Sequence, residues 1–335
     1  MSVPELKFCP STLSEGFSTY SATALKNLFN GKKVSHILPF DSPQQSDEVV
    51  ELFMENKKHF SISGVQEKLS LVQEKNSLRL TKENEAGTHI LKPIPVMLKN
   101  ARMVPANEHL TMQISRQVYG INTAANAIIF FKDGTPAYIT RRFDVKDDGS
   151  KWNKEDFATL AGKTKNNAGE NFKYEYSYEE LGLLIQKYVP AWKVEIEKYF
   201  QMIVFNFLFC NGDAHLKNFS ILETGQGDHI LSPAYDLVNS RFHVDDSDFA
   251  LSKGLFADNY QSPARAKSGH PGKQDFMEFA KRISVNEKRI AKLLQPFLEE
   301  QDFVAVLTDR SFLDEQAKRG YLHYYRTRKN FLIAN

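Results

Sequence analysis

A chain of 335 residues with 41% hydrophobic and 25% charged side chains is long enough for two lobes around a sizeable core and ordinary for a globular protein. A formal net charge of +2 makes no general case for a nucleic-acid or membrane-surface binder. Two cysteines, Cys9 and Cys210, exclude a disulfide framework or a cysteine-based zinc site and suit a reducing cytoplasm.

The N-terminus lacks the basic-then-apolar order of a signal peptide. The longest apolar run, Met202 to Phe209, is broken by Asn206 and is too short to span a bilayer. Residues 1–57 read as an appendage, with a short helix over Ser21–Leu28 capped by Ser21, a strand over Lys32–Leu38 and a short amphipathic helix around Glu48–Phe53. Residues 58–145 read as a β-rich lobe. Leu69 and Leu71, then Leu78 and Leu80, alternate with polar residues around a turn at Glu74–Ser77, as in a hairpin. A strand over Thr88–Lys92 and a helix over Ala106–Tyr119 follow, then strands over Ala127–Phe131 and Ala137–Phe143.

Residues 146–335 read as mostly helical. Helices are expected over Tyr178–Tyr188, Trp192–Cys210, Asp275–Ser284 and Asn286–Glu299, with one or two more from Asp302 to Leu332. A strand pair, Phe219–Leu222 and His229–Leu231, interrupts them. Leu251–Gln274 is rich in Gly, Pro and Ser and reads as a mobile loop. The fold class is therefore α+β and bilobal, with a small β-rich N-lobe and a larger helical C-lobe in a protein-kinase-like order.

Within that order, NGDAHLKNFS at residues 211–220 places Asp213 and Asn218 five apart. Phosphotransferases of the protein-kinase type use that spacing for a hydroxyl-orienting Asp and a metal-holding Asn; the bland alternative is a polar turn after a buried helix. Asp236 lies 23 residues after Asp213, across the strand pair, where a second metal-binding Asp is needed. Taken alone it reads more readily as a turn or cap residue than as a ligand. Lys92 ends a strand and suits nucleotide phosphates, against a plain solvated lysine. Glu108, expected in the first helical turn, suits a partner for Lys92, against a carboxylate that merely favours a helix N-terminus. Ser61–Gln66 (SISGVQ) offers a short turn for phosphate with a single glycine. Each signal is weak, but their order along the chain is that of a kinase.

Assembled, these residues resemble the HipA family of bacterial serine/threonine kinase toxins. The resemblance rests on SGVQEK at 63–68, ILKP at 90–93, NEH at 107–109, RRFD at 141–144, EDFATLAG at 155–162, GDAHLKNFS at 212–220 and PAYDL at 233–237. It implies Asp213 as base, Asn218 and Asp236 as Mg²⁺ ligands, and Lys92 as the ATP-phosphate lysine oriented by Glu108. It implies Ser63, Gly64, Val65 and Gln66 over the phosphates, and Arg141 and Phe143 beside the adenine. His215 and Lys217 belong to the catalytic loop, with Lys217 facing the transferred phosphoryl or forming a structural ion pair. The family is silenced by autophosphorylation of a serine before the hairpin, for which Ser61 and Ser63 both qualify.

The resemblance also implies an aminoacyl-tRNA synthetase substrate and a HipB-like helix-turn-helix antitoxin, with DNA contacted only through that antitoxin and no membrane partner. The chain has fewer residues before the phosphate loop than full-length HipA kinases carry, and SIS precedes the glycine. Both features resemble the short HipT form, whose missing subdomain is a separate small protein, HipS. The run Lys318, Arg319, Arg326, Arg328 and Lys329 reads as a solvated helix face. Two rival readings stand beside this one. One is a small-molecule phosphotransferase of the aminoglycoside or choline kinase type, which shares GD-x-H-x-x-N. The other is a non-catalytic module of a repressor complex.

Overall fold

The structure, a computed structural model, describes residues 4–43, 66–96, 98–146 and 148–334. The expected helix at Glu48–Phe53 and the residues Ser61, Ser63, Gly64 and Val65 lie outside the described residues.

Five antiparallel strands form the small lobe: β1 (Leu69–Glu74), β2 (Ser77–Leu80), β3 (His89–Lys92), β4 (Asn126–Phe130) and β5 (Pro136–Arg141), in spatial order β2-β1-β3-β5-β4. The β1–β2 hairpin closes at Glu74 opposite Ser77, with Lys75 in the left-handed region. Strand alternation sorts the side chains between two layers. Ala127, Ile129, Ala137 and Ile139 face a core shared with α1 (Ala22–Phe29), whereas Ile128, Phe130 and Tyr138 point the other way. Ser21 caps α1 as expected, its hydroxyl accepting from the Ala24 amide at 3.2 Å. The strand expected at Lys32–Leu38 is not formed. His36 and Leu38 instead exchange single bonds with the edge residue Phe130, and only a one-residue bridge at Ile37 results.

Helix α2 (Val104–Gln117) starts earlier than its apolar spacing suggests, because Pro105 fits the first turn and a tight turn at Ala101–Met103 leads into it. Its buried face carries Leu110 and Ile114 into the main core. That core surrounds the second half of α6 (Trp192–Leu208), where Met202–Leu208 is buried on every side. Phe205 and Phe209 stack at 4.5 Å, and Phe209 stacks on Tyr325 at 5.1 Å. Around it lie the short helices α3 (Phe157–Leu160) and α4 (Lys165–Ala168), then α5 (Tyr178–Tyr188), α7 (Pro263–Ser268), α8 (Lys273–Arg282), α9 (Glu287–Leu298), α10 (Asp302–Arg310) and α11 (Glu315–Ile333). The expected strand pair is present as β7 (Ser220–Glu223) and β8 (His229–Leu231), and a third strand, β6 (Lys154–Asp156), completes a small sheet in order β6-β7-β8. Among the described residues no helix is long and apolar enough to cross a membrane.

Two expectations for the large lobe are corrected. Leu251–Gln274 is not a loose loop: Leu251, Leu255, Phe256 and Ser262 are buried, and α7 lies within it. The Asp275 carboxylate organises it by accepting from the Ser262 amide and hydroxyl and the Gly272 amide. Nor is the basic C-terminal run wholly solvated. Arg328 and Lys329 are buried, Arg328 against Asp248 and Lys329 against Glu300 and the Glu299 carbonyl.

Candidate active site

Apolar α6 ends at Leu208, and Cys210 takes a left-handed conformation (φ 54°) that turns the chain into the polar loop. Gly212 follows because no side chain fits there. A Cβ would stand 2.5 Å from Asp246 Cβ and 2.8 Å from the Ser247 carbonyl. The Gly212 amide donates to Ser240 Oγ at 2.8 Å, and that hydroxyl donates to the Cys210 carbonyl. The loop is thus clamped from behind before it presents Asp213.

On the other side, β3 delivers Lys92 and α2 delivers Glu108. Lys92 Nζ is buried and lies 2.6 Å from Glu108 Oε1 and 2.5 Å from Asp236 Oδ1. Lys68 approaches the second Asp236 oxygen at 3.6 Å. Glu108 sits in the second helical turn rather than the first, so its role is the buried ion pair and not the helix N-terminus. Asp236 has φ 55°, an uncommon conformation for a non-glycine residue that must be held by its surroundings. The hold is visible. The Asn107 amide donates to the Asn239 carbonyl and accepts from its N–H, pinning the chain just after Asp236 to α2. Just before it, Ala234 exchanges backbone bonds with Asn122 and Ala124 at the lobe junction.

One recess between the lobes is lined by Gln66, Lys92, Glu108, Asp213, Asn218 and Asp236. It adjoins a cleft of about 860 Å³ whose walls include Lys68, Arg141, Phe143, Lys173, Lys217 and His215. The chain therefore brings six of the sequence-predicted residues to the recess and four more to the cleft. Gln66 is buried and donates to the Pro93 carbonyl. Phe143 lies beyond β5 and packs on Tyr235 at 5.7 Å. Lys217 is exposed at the cleft rim.

The electrostatics follow from burial against pairing. Burial alone would lower the Lys92 pKa, but the Asp236 and Glu108 carboxylates outweigh it and hold the ammonium protonated. Burial raises Glu108 in spite of Lys92. Asp236 goes the other way: burial opposes its charge, yet Lys92 and Lys68 hold its carboxyl well below the usual range. His215 is neutral, pulled down to about 3 by burial and by the Lys173 cation. Its Nε2 is 4.0 Å from Asp213 Oδ1, too far for a hydrogen bond, and neither ring nitrogen has a hydrogen-bond partner among the described residues.

For a magnesium ion the donors present are hard oxygens. Asn218 Nδ2 lies 3.3 Å from Asp236 Oδ2 while its Oδ1 accepts from the His215 amide. Turning the Asn218 oxygen toward Asp236 gives up both of these bonds, a loss that a cation seated between the two oxygens would offset. No cluster of three His, Cys, Asp or Glu able to hold a metal occurs among the described residues. The pair fits an ion that takes one or two protein oxygens and completes its shell with phosphates and water, as Mg²⁺ does. Lys68, Asn107, Lys173 and Tyr174 also shape the site. The first two lie inside quoted motifs, whereas the last two occupy a stretch without periodicity or turn signature.

The HipA-like C-terminal domain family matches residues 60–302. A Haemophilus influenzae protein named "Putative kinase" is 26% identical over 342 aligned positions, covering 96% of each chain. Among solved structures, HipA of Shewanella oneidensis MR-1, determined with HipB and operator DNA, superposes with a TM-score of 0.61 at 21% identity. That superposition covers 89% of this chain and 73% of the other. The Helicobacter pylori proinflammatory kinase CtkA superposes with a TM-score of 0.51 at 14% identity, over 79% and 93% of the two chains. The kinase-like fold expected from the order of motifs is the fold these neighbours share.

Proposed function

The chain belongs to the HipA-like family, and from that premise we propose that it is an ATP-dependent serine/threonine protein kinase whose phosphoryl-transfer centre is the recess between the lobes. The observation that carries this reading is Lys92 held between Glu108 and Asp236, with Asp213 and Asn218 lining the same recess. A lysine fixed by a helix glutamate and set against an aspartate is the arrangement kinases use to hold nucleotide phosphates.

In this reading Lys92 binds the α/β-phosphates of ATP, and Glu108 keeps it aimed. Asp213 accepts the proton of the acceptor hydroxyl. Asn218 and Asp236 are the residues that hold Mg²⁺, which when bound neutralises phosphate charge. The wall formed by Arg141 and Phe143 takes the adenine, and Gln66 with Ser63–Val65 covers the phosphates. Residues 58–145 and 146–335 act as the two lobes, with 1–57 as an addition to the first. The protein substrate is an aminoacyl-tRNA synthetase, whose modification would stop translation. A HipB-like helix-turn-helix antitoxin is the regulatory partner, a proposal supported by the Shewanella neighbour's complex with HipB and operator DNA. A HipS-like small protein is a second partner.

Autophosphorylation at Ser61 or Ser63 would add nearly two negative charges to the loop over the nucleotide and so expel it. Incubation with γ-labelled ATP, Mg²⁺ and bacterial lysate tests the reading. Label in a protein band is expected, and label confined to a small metabolite would favour the aminoglycoside-kinase type. The Ser61→Ala/Ser63→Ala double variant is expected to lose self-labelling, and equal labelling would move the modification elsewhere.

A further inference from the structure

Asp213 is approached from a side that none of the motifs describes. Tyr174, 39 residues earlier, donates its hydroxyl to Asp213 Oδ1 at 3.2 Å. The bond is long for O–H···O, as catalytic bonds often are before substrate arrives. The phenol is held from several directions. Its ring stands edge-on to His215 at 5.4 Å, its own carbonyl accepts from the Ser252 amide at 2.8 Å, and the neighbouring Lys173 carbonyl accepts from the Leu216 amide at 3.1 Å. The same stretch also grips the loop through Tyr178, whose hydroxyl donates to the Ala214 carbonyl. These bonds tie the segment directly to the loop that carries Asp213.

Lys173 lines the cleft, its Nζ 4.9 Å from the Tyr174 ring centroid. It is half-buried, whereas Lys217 is exposed. A cation withdrawn from water acts on nearby charge far more strongly than a solvated one. Burial, with Lys217 and Lys68 nearby, pushes the Lys173 ammonium down, while Asp213 counters the shift. Lys173 is thus a partly desolvated cation at the cleft wall, against the ring of the tyrosine that bonds the base.

We propose that Lys173 and Tyr174 form the acceptor side of the transfer centre, Tyr174 as a positioning residue that aims the Asp213 carboxylate and Lys173 as a catalytic cation facing the phosphoryl group in flight. The proposal rests on the kinase reading. In the step, the acceptor oxygen forms a bond to the γ-phosphorus, and the bond from that phosphorus to the β,γ-bridging oxygen breaks. The electron pair leaves on ADP, and the acceptor proton passes to Asp213. Lys173 keeps its proton and faces the equatorial oxygens. Tyr174 holds the carboxylate through Oδ1 and so sets the direction from which it meets the acceptor.

The test is ADP release from MgATP, with dephosphorylated casein present as a generic serine acceptor. Tyr174→Phe retains the ring and its packing. Its kcat is expected to fall roughly tenfold, and that of Lys173→Met roughly 100-fold. Both should keep the MgATP dissociation constant within about twofold and the thermal midpoint unchanged, and Lys173→Arg should recover most of the rate. Variants that match wild type, or whose losses follow nucleotide affinity, would overturn the assignment. If Lys173→Met proves unstable, Tyr174→Phe decides alone. A wild type that makes no ADP overturns the kinase reading itself, which is a separate result from active variants beside an active wild type.

Discussion

Two buried charge clusters lie on opposite sides of the same loop. In front, Lys92, Glu108 and Asp236 meet in the recess. Behind, Asp248 is closed on both oxygens: one takes Arg328, with Arg241 at 3.9 Å, and the other takes His270 at 2.7 Å. Phe207 lies under the Arg328 guanidinium at 5.0 Å, Phe331 stacks on His270 at 4.1 Å, and Cys210 Sγ accepts from Arg328 Nε. Aromatic rings cover the Arg328 side of the rear cluster while Arg241 and His270 stay about a third exposed, and its members are not among the cleft's lining residues. The front cluster is different on one side only. Asp236 Oδ1 is tightly paired, whereas among the described residues Oδ2 meets Asn218 at 3.3 Å and Lys68 at 3.6 Å. Burial of charge is thus common to structure and function. What separates them is a carboxylate oxygen with only long contacts among the described residues, on a left-handed backbone, lining a cleft.

Removing the central cation gives the largest expected separation. Lys92→Met leaves two carboxylates facing each other in the recess. Phosphoryl transfer should fall by roughly 10³-fold or more, and stability by about 3 kcal/mol, the usual cost of breaking a buried pair from one side. A variant with wild-type turnover would break the contrast between the clusters. Arg328→Met should cost a similar ~3 kcal/mol but leave MgATP affinity of the folded protein within twofold, as read by denaturant melts beside nucleotide titration. A large loss of affinity at unchanged stability would make the rear cluster functional.

The acid limb of stability gives a smaller effect. Asp236 titrates lower in the folded chain than its unfolded value near 3.9, so the unfolded chain takes the proton first. Its contribution is therefore complete above roughly pH 5 and is lost as pH falls below about 4. Glu108, raised on folding, has the opposite sign, its share being lost as pH rises through its folded pKa. Melting curves of Asp236→Asn should thus decline less steeply with acid than those of wild type, and an identical decline would remove Asp236 from the account.

The same contrast explains what the sequence disclosed. That Asp213, Asn218, Asp236, Lys92 and Glu108 gather in one recess was legible from the kinase-like order of the motifs, and α5, α6 and α9 from their strong apolar spacing. Lys173 and Tyr174 were not, since their meaning lies in a contact across 39 residues with no local pattern. Arg328 and Lys329 looked solvated because a charge run is judged by its neighbours in sequence. The partner that buries Arg328 is 80 residues away. The Leu251–Gln274 stretch looked loose from its composition, yet one buried carboxylate, Asp275, ties it down. Strand β6 was too short, at 3 residues, to show a period.

The smallest expected effect concerns Lys217. Exposed at the rim and screened by salt, it should lower kcat only about threefold when changed to Ala, far less than Lys173→Met. The reverse ranking would return the transferring cation to the catalytic loop.

The most direct test is Mg²⁺-dependent transfer of γ-labelled phosphate by wild type and Asp213→Asn, with nucleotide affinity measured on the same samples. Transfer should drop by about 10³-fold while affinity stays within threefold. Equal transfer by the two proteins would contradict the account.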